Sequence, residues 1–392
     1  MLVIGLMSSN VLIAKDKKDK EEGYKFTPKI QLETCSVKDQ GSSGTCWSYA
    51  TSSFIEAELI RLGKGKHDIS EMFFVRKAYP QKAIKYIRYQ GLSNFSEGGQ
   101  AHDVTNVIRE FGMVPESVYR GLNYGFTYHK HGEMVSVLTG ILDSSIKKKS
   151  NFTGKSLDVF SAALDIYLGE VPEKFIYMGK EYTPKTFADS MNFNSDDYVE
   201  FTSYSCYPFN EKIDLEIPDN WSRDLYYNIE LNDLMGIINY AFENGYSVNW
   251  DGDVSESGFS HKNGVAVVPE DDPKEMEDSE RLKWESLSEK EQKEMLFDFS
   301  KPRKEKNVTQ EVRQEAFDKF KTTDDHLMHL TGTGVDQNGT LYYHTKNSWA
   351  EDSNKFGGSL YMSEAFIKLK TVAIQVHKDA IPQELKDKLG IK

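Results

Sequence analysis

QGSSGTCWSYA, residues 40–50, decides how this chain is read. Glycines and serines lead up to a single cysteine, Cys46, and the sequence then turns at once into aromatic and small apolar residues. From there apolar side chains fall at Trp47, Ala50, Phe54 and Ala57, with Ile55 and Leu59 alongside. That i, i+3, i+4 spacing predicts a helix with a wide buried face. Cys46 therefore stands where a flexible loop becomes a helix. The N–H groups of a first helical turn have no carbonyl behind them to bond, and that end carries roughly half a positive charge. A thiolate placed there is stabilised, and such sites lower a cysteine pKa from about 8.5 to roughly 3.5–7.5. The expectation is an activated nucleophile. The alternative is an inert cysteine buried beside Trp47.

The rest of the composition narrows the choices. A chain of 392 residues has room for two domains, or for one core with large insertions, and its apolar (39%) and aromatic (12%) fractions are those of a globular protein. A net charge of -13 argues against nucleic acid as a partner, because phosphate binding needs a clustered basic surface. No apolar run approaches the roughly 20 residues of a membrane span. Cys35, Cys46 and Cys206 are too few for a disulfide framework and show no C-x-x-C spacing, while a Cys35–Cys206 bridge stays open. No cofactor is expected. The glycines form no phosphate-binding loop, and His129-Lys130-His131 with Glu133 reads as a solvated surface rather than as metal ligands.

Residues 1–25 are set apart as a signal-like segment and linker. A short apolar stretch ending near Ala14 gives way to lysine and aspartate, which resembles a secretory signal before a mature start. Export is the expectation, a cytoplasmic location the alternative. Residues 26–392 form the main domain. Within it, helical patterns run over 70–79, over 104–111 (stopped by Gly112) and over 234–242 (stopped by Asn244-Gly245). Residues 122–221 give mixed, weak signals and 269–321 read as solvated charged helices, so both are taken as insertions. HLMHLTGTGV, TLYYHTKNSW and GGSLYMS are short alternating runs separated by turn signals, which predicts antiparallel strands. Helices first and a sheet last make an α+β architecture.

A thiolate nucleophile needs a base, a group that orients the base, and donors for the oxyanion. DHLMHLTGTG offers His326 and His329 on one strand, where residues three apart face opposite sides, so only one can look into a cleft. KNSW then supplies Asn347, an amide able to accept from a histidine N–H, and Trp349, able to shield that bond from water.

Taken in chain order, QGSSGTCW, DHLMHLTGTG and NSW resemble the cysteine, histidine and asparagine segments of papain-like cysteine peptidases. The short distance from the N-terminus to Cys46, the long interval to His326, and DISEMFFV, SEGGQAHDV, FGMVPES and NGYSVNWDGDVSESGF are similar to the bleomycin hydrolase and aminopeptidase C branch. The resemblance covers roughly residues 28–119 and 234–382. It implies a two-lobed fold with a helical and a sheet lobe, Cys46 as nucleophile, His326 as general base and acid, and Asn347 as its orienter. Gln40, six positions before Cys46, would complete an oxyanion hole with the Cys46 N–H. Gly98 and Gly99 resemble the pair along which substrate backbone lies, where no Cβ blocks the approach. Two positions depart from the family pattern: Ala350 stands where glycine is usual, and His329 where a small or apolar residue is usual, which makes it a structural histidine.

The expected function is thiol-dependent hydrolysis of peptides, removing N-terminal residues. In that branch a C-terminal arm presents its carboxylate to the substrate amine, and the family's proline-rich arm has no counterpart after KDAIPQELKDKLGIK, so an open cleft with endopeptidase activity is the main alternative. A transglutaminase-type acyl transfer fits less well, since its third member is usually an aspartate. An inactive peptidase-like binding protein would usually have lost its nucleophile. Peptides are the expected partners, and the resemblance implies a homo-oligomer, a hexamer in relatives.

Overall fold

The computed structural model describes residues 23–147, 153–270, 284 and 286–392. The signal-like stretch at 1–22, and residues 271–283 of the charged segment, lie outside the described residues. Strand β1 (Thr27–Gln31) precedes helices α1 (Cys46–Arg61), α2 (Glu71–Arg88) and α3 (Ala101–Phe111). The next third holds α4 (Gly132–Lys147), α5 (Lys155–Leu168), the hairpin β2 (Phe175–Tyr177) and β3 (Lys180–Tyr182), and α6 (Pro184–Met191). Strands β4 (Tyr198–Thr202), β5 (Glu211–Asp214) and β6 (Leu225–Asn228) lead to α7 (Leu231–Glu243), then β7 (Val248–Gly252), β8 (Phe259–Ser260) and β9 (Val265–Ala266). After short helices at Glu289–Leu296 and Gln310–Asp318 come β10 (His326–Val335), β11 (Leu341–Lys346), β12 (Ser359–Ser363) and β13 (Thr371–His377).

The described strands other than β2 and β3 join one sheet in the order β5-β6-β4-β13-β7-β10-β11-β12-β9-β8, with β1 also paired to β10. Most neighbours are antiparallel; β4 with β6 and β9 with β12 are parallel. This is the expected α+β division. One apolar core gathers α1–α6 and a second gathers the sheet with α7 and the helix Glu364–Lys370.

Between the two cores lies α1. Every residue from Cys46 to Leu59 is buried, more than an amphipathic stripe would bury. Several of its polar side chains are accommodated by partners from other elements. Ser48 donates to the Glu71 carbonyl at 2.7 Å, Thr51 accepts from Asn249 of β7 at 2.8 Å, and Ser53 meets His329 of β10 at 2.9 Å. Buried polar groups that are satisfied in this way carry little penalty. The helix is thus clamped to α2 on one side and to the sheet on the other.

Two features differ from the sequence reading. Helix α2 runs through Pro80 to Arg88 instead of ending near Tyr79. The proline removes one backbone donor, yet Tyr79, Lys82 and Ala83 are all buried, and that packing carries the helix onward. The 122–221 segment also contributes to the common framework: α4 and α5 pack in the first core, and β4 lies beside β13 in the main sheet.

Candidate active site

Cys46 is the first residue of α1 and is only 8% exposed. Its sulfur faces the backbone N–H of Leu327, the second residue of β10. The first residue of that strand is His326, whose Nε2 lies 2.8 Å from Asn347 Oδ1 just beyond the end of β11. An amide oxygen only accepts, so Nε2 carries the hydrogen and the neutral ring keeps Nδ1 as an acceptor. Trp349 lies against the same imidazole with ring centroids 5.0 Å apart. Asn347 is itself held, accepting from the Ser348 N–H at 2.8 Å and placing Nδ2 3.3 Å from His261 Nδ1. His261 was not singled out from sequence, where it sits unmarked in the SHKNG turn.

The loop carrying Gln40 is fastened to the same segment. Gln40 N–H donates to the Ser348 carbonyl at 2.9 Å, Ala350 N–H donates to Lys38, and Asp39 bridges to Trp349. The Gln40 side chain accepts from Ser348 Oγ at 2.6 Å and donates from Nε2 to the Ser43 carbonyl at 2.7 Å. One amide hydrogen remains on Nε2 beyond that bond. Gln40, Asn347 and His326 are therefore tied together through Ser348, and Cys46 faces the residue next to His326.

His129 and His131 correct the sequence reading. They are 6% and 0% exposed, not solvated, and the segment acts as a backing for the Gln40 loop. Ser42 N–H donates to the His129 carbonyl and His131 N–H to the Ser42 carbonyl. Burial pushes both imidazoles down, to about 4 and about 3, so they pack as neutral rings. No cluster able to hold a metal occurs among the described residues.

Gly98 and Gly99 lie just before α3. A Cβ on Gly98 would collide with the Asp219 carboxylate, and one on Gly99 would meet Asp103 at 2.7 Å and the Trp47 ring at 3.1 Å. His329 sits on the opposite strand face from His326, fully buried, bonded to Ser53 and edge-on to Phe54. Cys35, Cys46 and Cys206 are all free.

The electrostatics of the site run against the expected low thiol pKa. Burial pushes the Cys46 thiol up to about 12; the Leu327 N–H opposes this, while Asp219, Asp251 and Asp324 add to it. Burial likewise pushes His326 down to about 4, against the support of Asn347 and Asp325. The helix end is outweighed by desolvation and by carboxyl groups that the local sequence does not reveal. Both shifts favour the uncharged forms, the thiol and the neutral imidazole.

Comparison with known proteins finds related sequences and a shared fold. Residues 288–391 match the Peptidase C1-like family. Aminopeptidase C of Lactobacillus helveticus is 22% identical over 91% of this chain and 82% of its own length. The mitochondrial cysteine proteinase 1 of Saccharomyces cerevisiae is 21% identical over 31% of this chain, which spans 28% of that relative. The solved structure of PepW from Lactobacillus rhamnosis superposes with a TM-score of 0.69 over 93% of this chain and 84% of that one, at 19% identity, and shares its fold. By fold, by its matched C-terminal segment and by a relative aligned along most of its length, the chain is similar to the papain-like cysteine peptidases of the aminopeptidase C and bleomycin hydrolase branch.

Proposed function

We propose that the protein removes residues from the free N-terminal end of peptides, with Cys46 as nucleophile, His326 as base and acid, Asn347 as its orienter, and Gln40 with the Cys46 N–H as oxyanion donors. The observation that carries this reading is the 2.8 Å contact from His326 Nε2 to Asn347 Oδ1. It leaves Nδ1 as the ring's acceptor, the state a general base needs.

In this reading Nδ1 takes the thiol proton as the sulfur bonds to the scissile carbonyl carbon, and the carbonyl π electrons move to oxygen. Gln40 Nε2–H and the Cys46 N–H meet the charge that develops there. The imidazolium passes its proton to the departing amine, leaving a thioester on Cys46. Water then attacks with His326 again as base, and the acid leaves as the sulfur regains its proton. The name of the Lactobacillus relative, aminopeptidase C, supports the exopeptidase direction. The test is hydrolysis of an aminoacyl-coumarylamide by the wild type and by Cys46→Ala, with iodoacetamide titration of the wild type. Turnover retained by Cys46→Ala overturns the reading.

A further inference from the structure

Three carboxyl groups crowd one flank of Cys46. Asp251 on β7 is the cross-strand partner of Leu327, whose N–H faces the sulfur. Asp324 stands two residues before His326, accepts from Gln100 Nε2 at 3.1 Å and from the Asp219 N–H at 3.3 Å. Gln100 directly follows Gly98 and Gly99, and Asp219 lies against Gly98. Asp219 and Asp324 therefore flank the Gly98-Gly99 strip, and all three carboxyls act on the nucleophile.

Its charge is incompletely answered. Asp219 accepts from Asn94 at 2.8 Å and is favoured by Lys82, whose ammonium is committed to the Ser96 and Gly98 carbonyls. Asp251 is different: it is 3% exposed, and neither of its oxygens makes a well-formed hydrogen bond. Its nearest polar neighbours are another carboxyl, Asp324, and the Gln100 amide. A buried carboxyl without a donor costs stability unless something brings one. Burial raises both groups, with Asp324 and Asp219 adding to it at Asp251 and Asp219 adding to it at Asp324, which reaches about 7.

We propose that Asp251 and Asp324, backed by Asp219, receive the α-ammonium of the substrate and so make the enzyme select peptides with a free N-terminus. This rests on the peptidase reading of Cys46 and names the group that reads the substrate's end. On that reading the chain preceding the scissile bond runs along Gly98 and Gly99, against which Asp219 lies, so an ammonium reaches the carboxyls only when little chain precedes that bond.

The experiment compares alanyl-coumarylamide with its N-acetylated form, using wild type, Asp251→Asn and Asp324→Asn. Wild type should prefer the free amine, and either variant should lower the ratio of the two kcat/KM values by about 10–100-fold, the scale of one hydrogen bond to a charged group. Equal losses on both substrates would mean a structural role and overturn the proposal. Cys46-dependent turnover in the wild type that ignores the acetyl group overturns it too, while leaving the thiol-peptidase reading intact. A wild-type measurement covers variants that fail to fold. Relative to free cysteine, Cys46 should react faster with 2-bromoethylammonium than with iodoacetate, and the reverse order sinks the idea.

Discussion

Nε2 of His326 and Oδ1 of Asn347 meet at 2.8 Å, while three residues along the same strand His329 turns the other way to bond Ser53. The two histidines should therefore fail differently. His326→Ala is expected to lower kcat by about 100–10,000-fold, the range for loss of a general acid–base group. Asn347→Ala should lose less, since it leaves the base in place. His329→Ala should cost about 1–3 kcal/mol of stability through the emptied, buried site beside Phe54. Urea unfolding and steady-state kinetics on the three variants check this, and the reverse pattern would assign the base to His329.

Gln40 is held between Ser348 and Ser43. Gln40→Ala should reduce kcat by roughly 10–1000-fold with little change in the alkylation rate of Cys46, because the amide acts on charge that appears in the transition state. Ser348→Ala should show a milder form of the same split. Parallel losses in both assays would mean that the loop had moved.

Reactivity of the free thiol gives a pH test. With the thiol raised to about 12 and His326 lowered to about 4, the thiolate is scarce at neutral pH. Alkylation by iodoacetamide in the absence of substrate should rise about tenfold per pH unit between 6 and 9. A thiolate–imidazolium pair would instead give a plateau across that range, and stopped-flow rates distinguish the two.

Ala350 occupies φ 69°, ψ 148°, a region that essentially only glycine tolerates. The departure from the family glycine is therefore a strained position, held by the Ala350 N–H to Lys38 and by the packing of its carbonyl against Gly358. Ala350→Gly should stabilise the fold by about 1 kcal/mol, the relief of strain outweighing the added freedom of the unfolded chain. An unchanged or lower denaturation midpoint would show that the backbone is not strained there.

A second pH effect belongs to His102. Burial alone would lower its pKa, but Glu200 at 2.8 Å, with Asp103 and Asp224, raises it to about 9. A histidine raised above its unfolded value of about 6.5 adds stability that is complete below that pH and lost as pH rises through about 9. The shift corresponds to roughly 3 kcal/mol. Unfolding midpoints between pH 6 and 10 should fall for the wild type and fall less for His102→Gln; parallel curves would remove the ion pair from the account.

What the sequence made legible was local. Gly112 ends α3, Asn244 and Gly245 follow α7, and the alternating runs near the C-terminus are strands β10, β11 and β12 because side-chain period and turn residues act within a few positions. The Gln40, Cys46, His326 and Asn347 segments stood out because their chemistry is written in short motifs. What failed to show depends on partners far along the chain. His131 looks like a surface residue until the Ser42 loop covers it. Asp251, Asp324 and Asp219 are unremarkable acids until strand pairing and the Gly98 contact collect them beside one thiol. The same burial reverses the expected thiol pKa, since a helix end acts over one turn while desolvation is set by everything around it.

Because the hydroxyls of α1 are shared between α2 on one side and β7 and β10 on the other, neither half of the molecule holds its own floor without that helix. Loosening the helical half therefore withdraws the support of the strand that carries His326, although that residue is almost three hundred positions away. Heat or denaturant should dismantle both halves together, and catalysis should vanish in step with the last ordered structure rather than ahead of it.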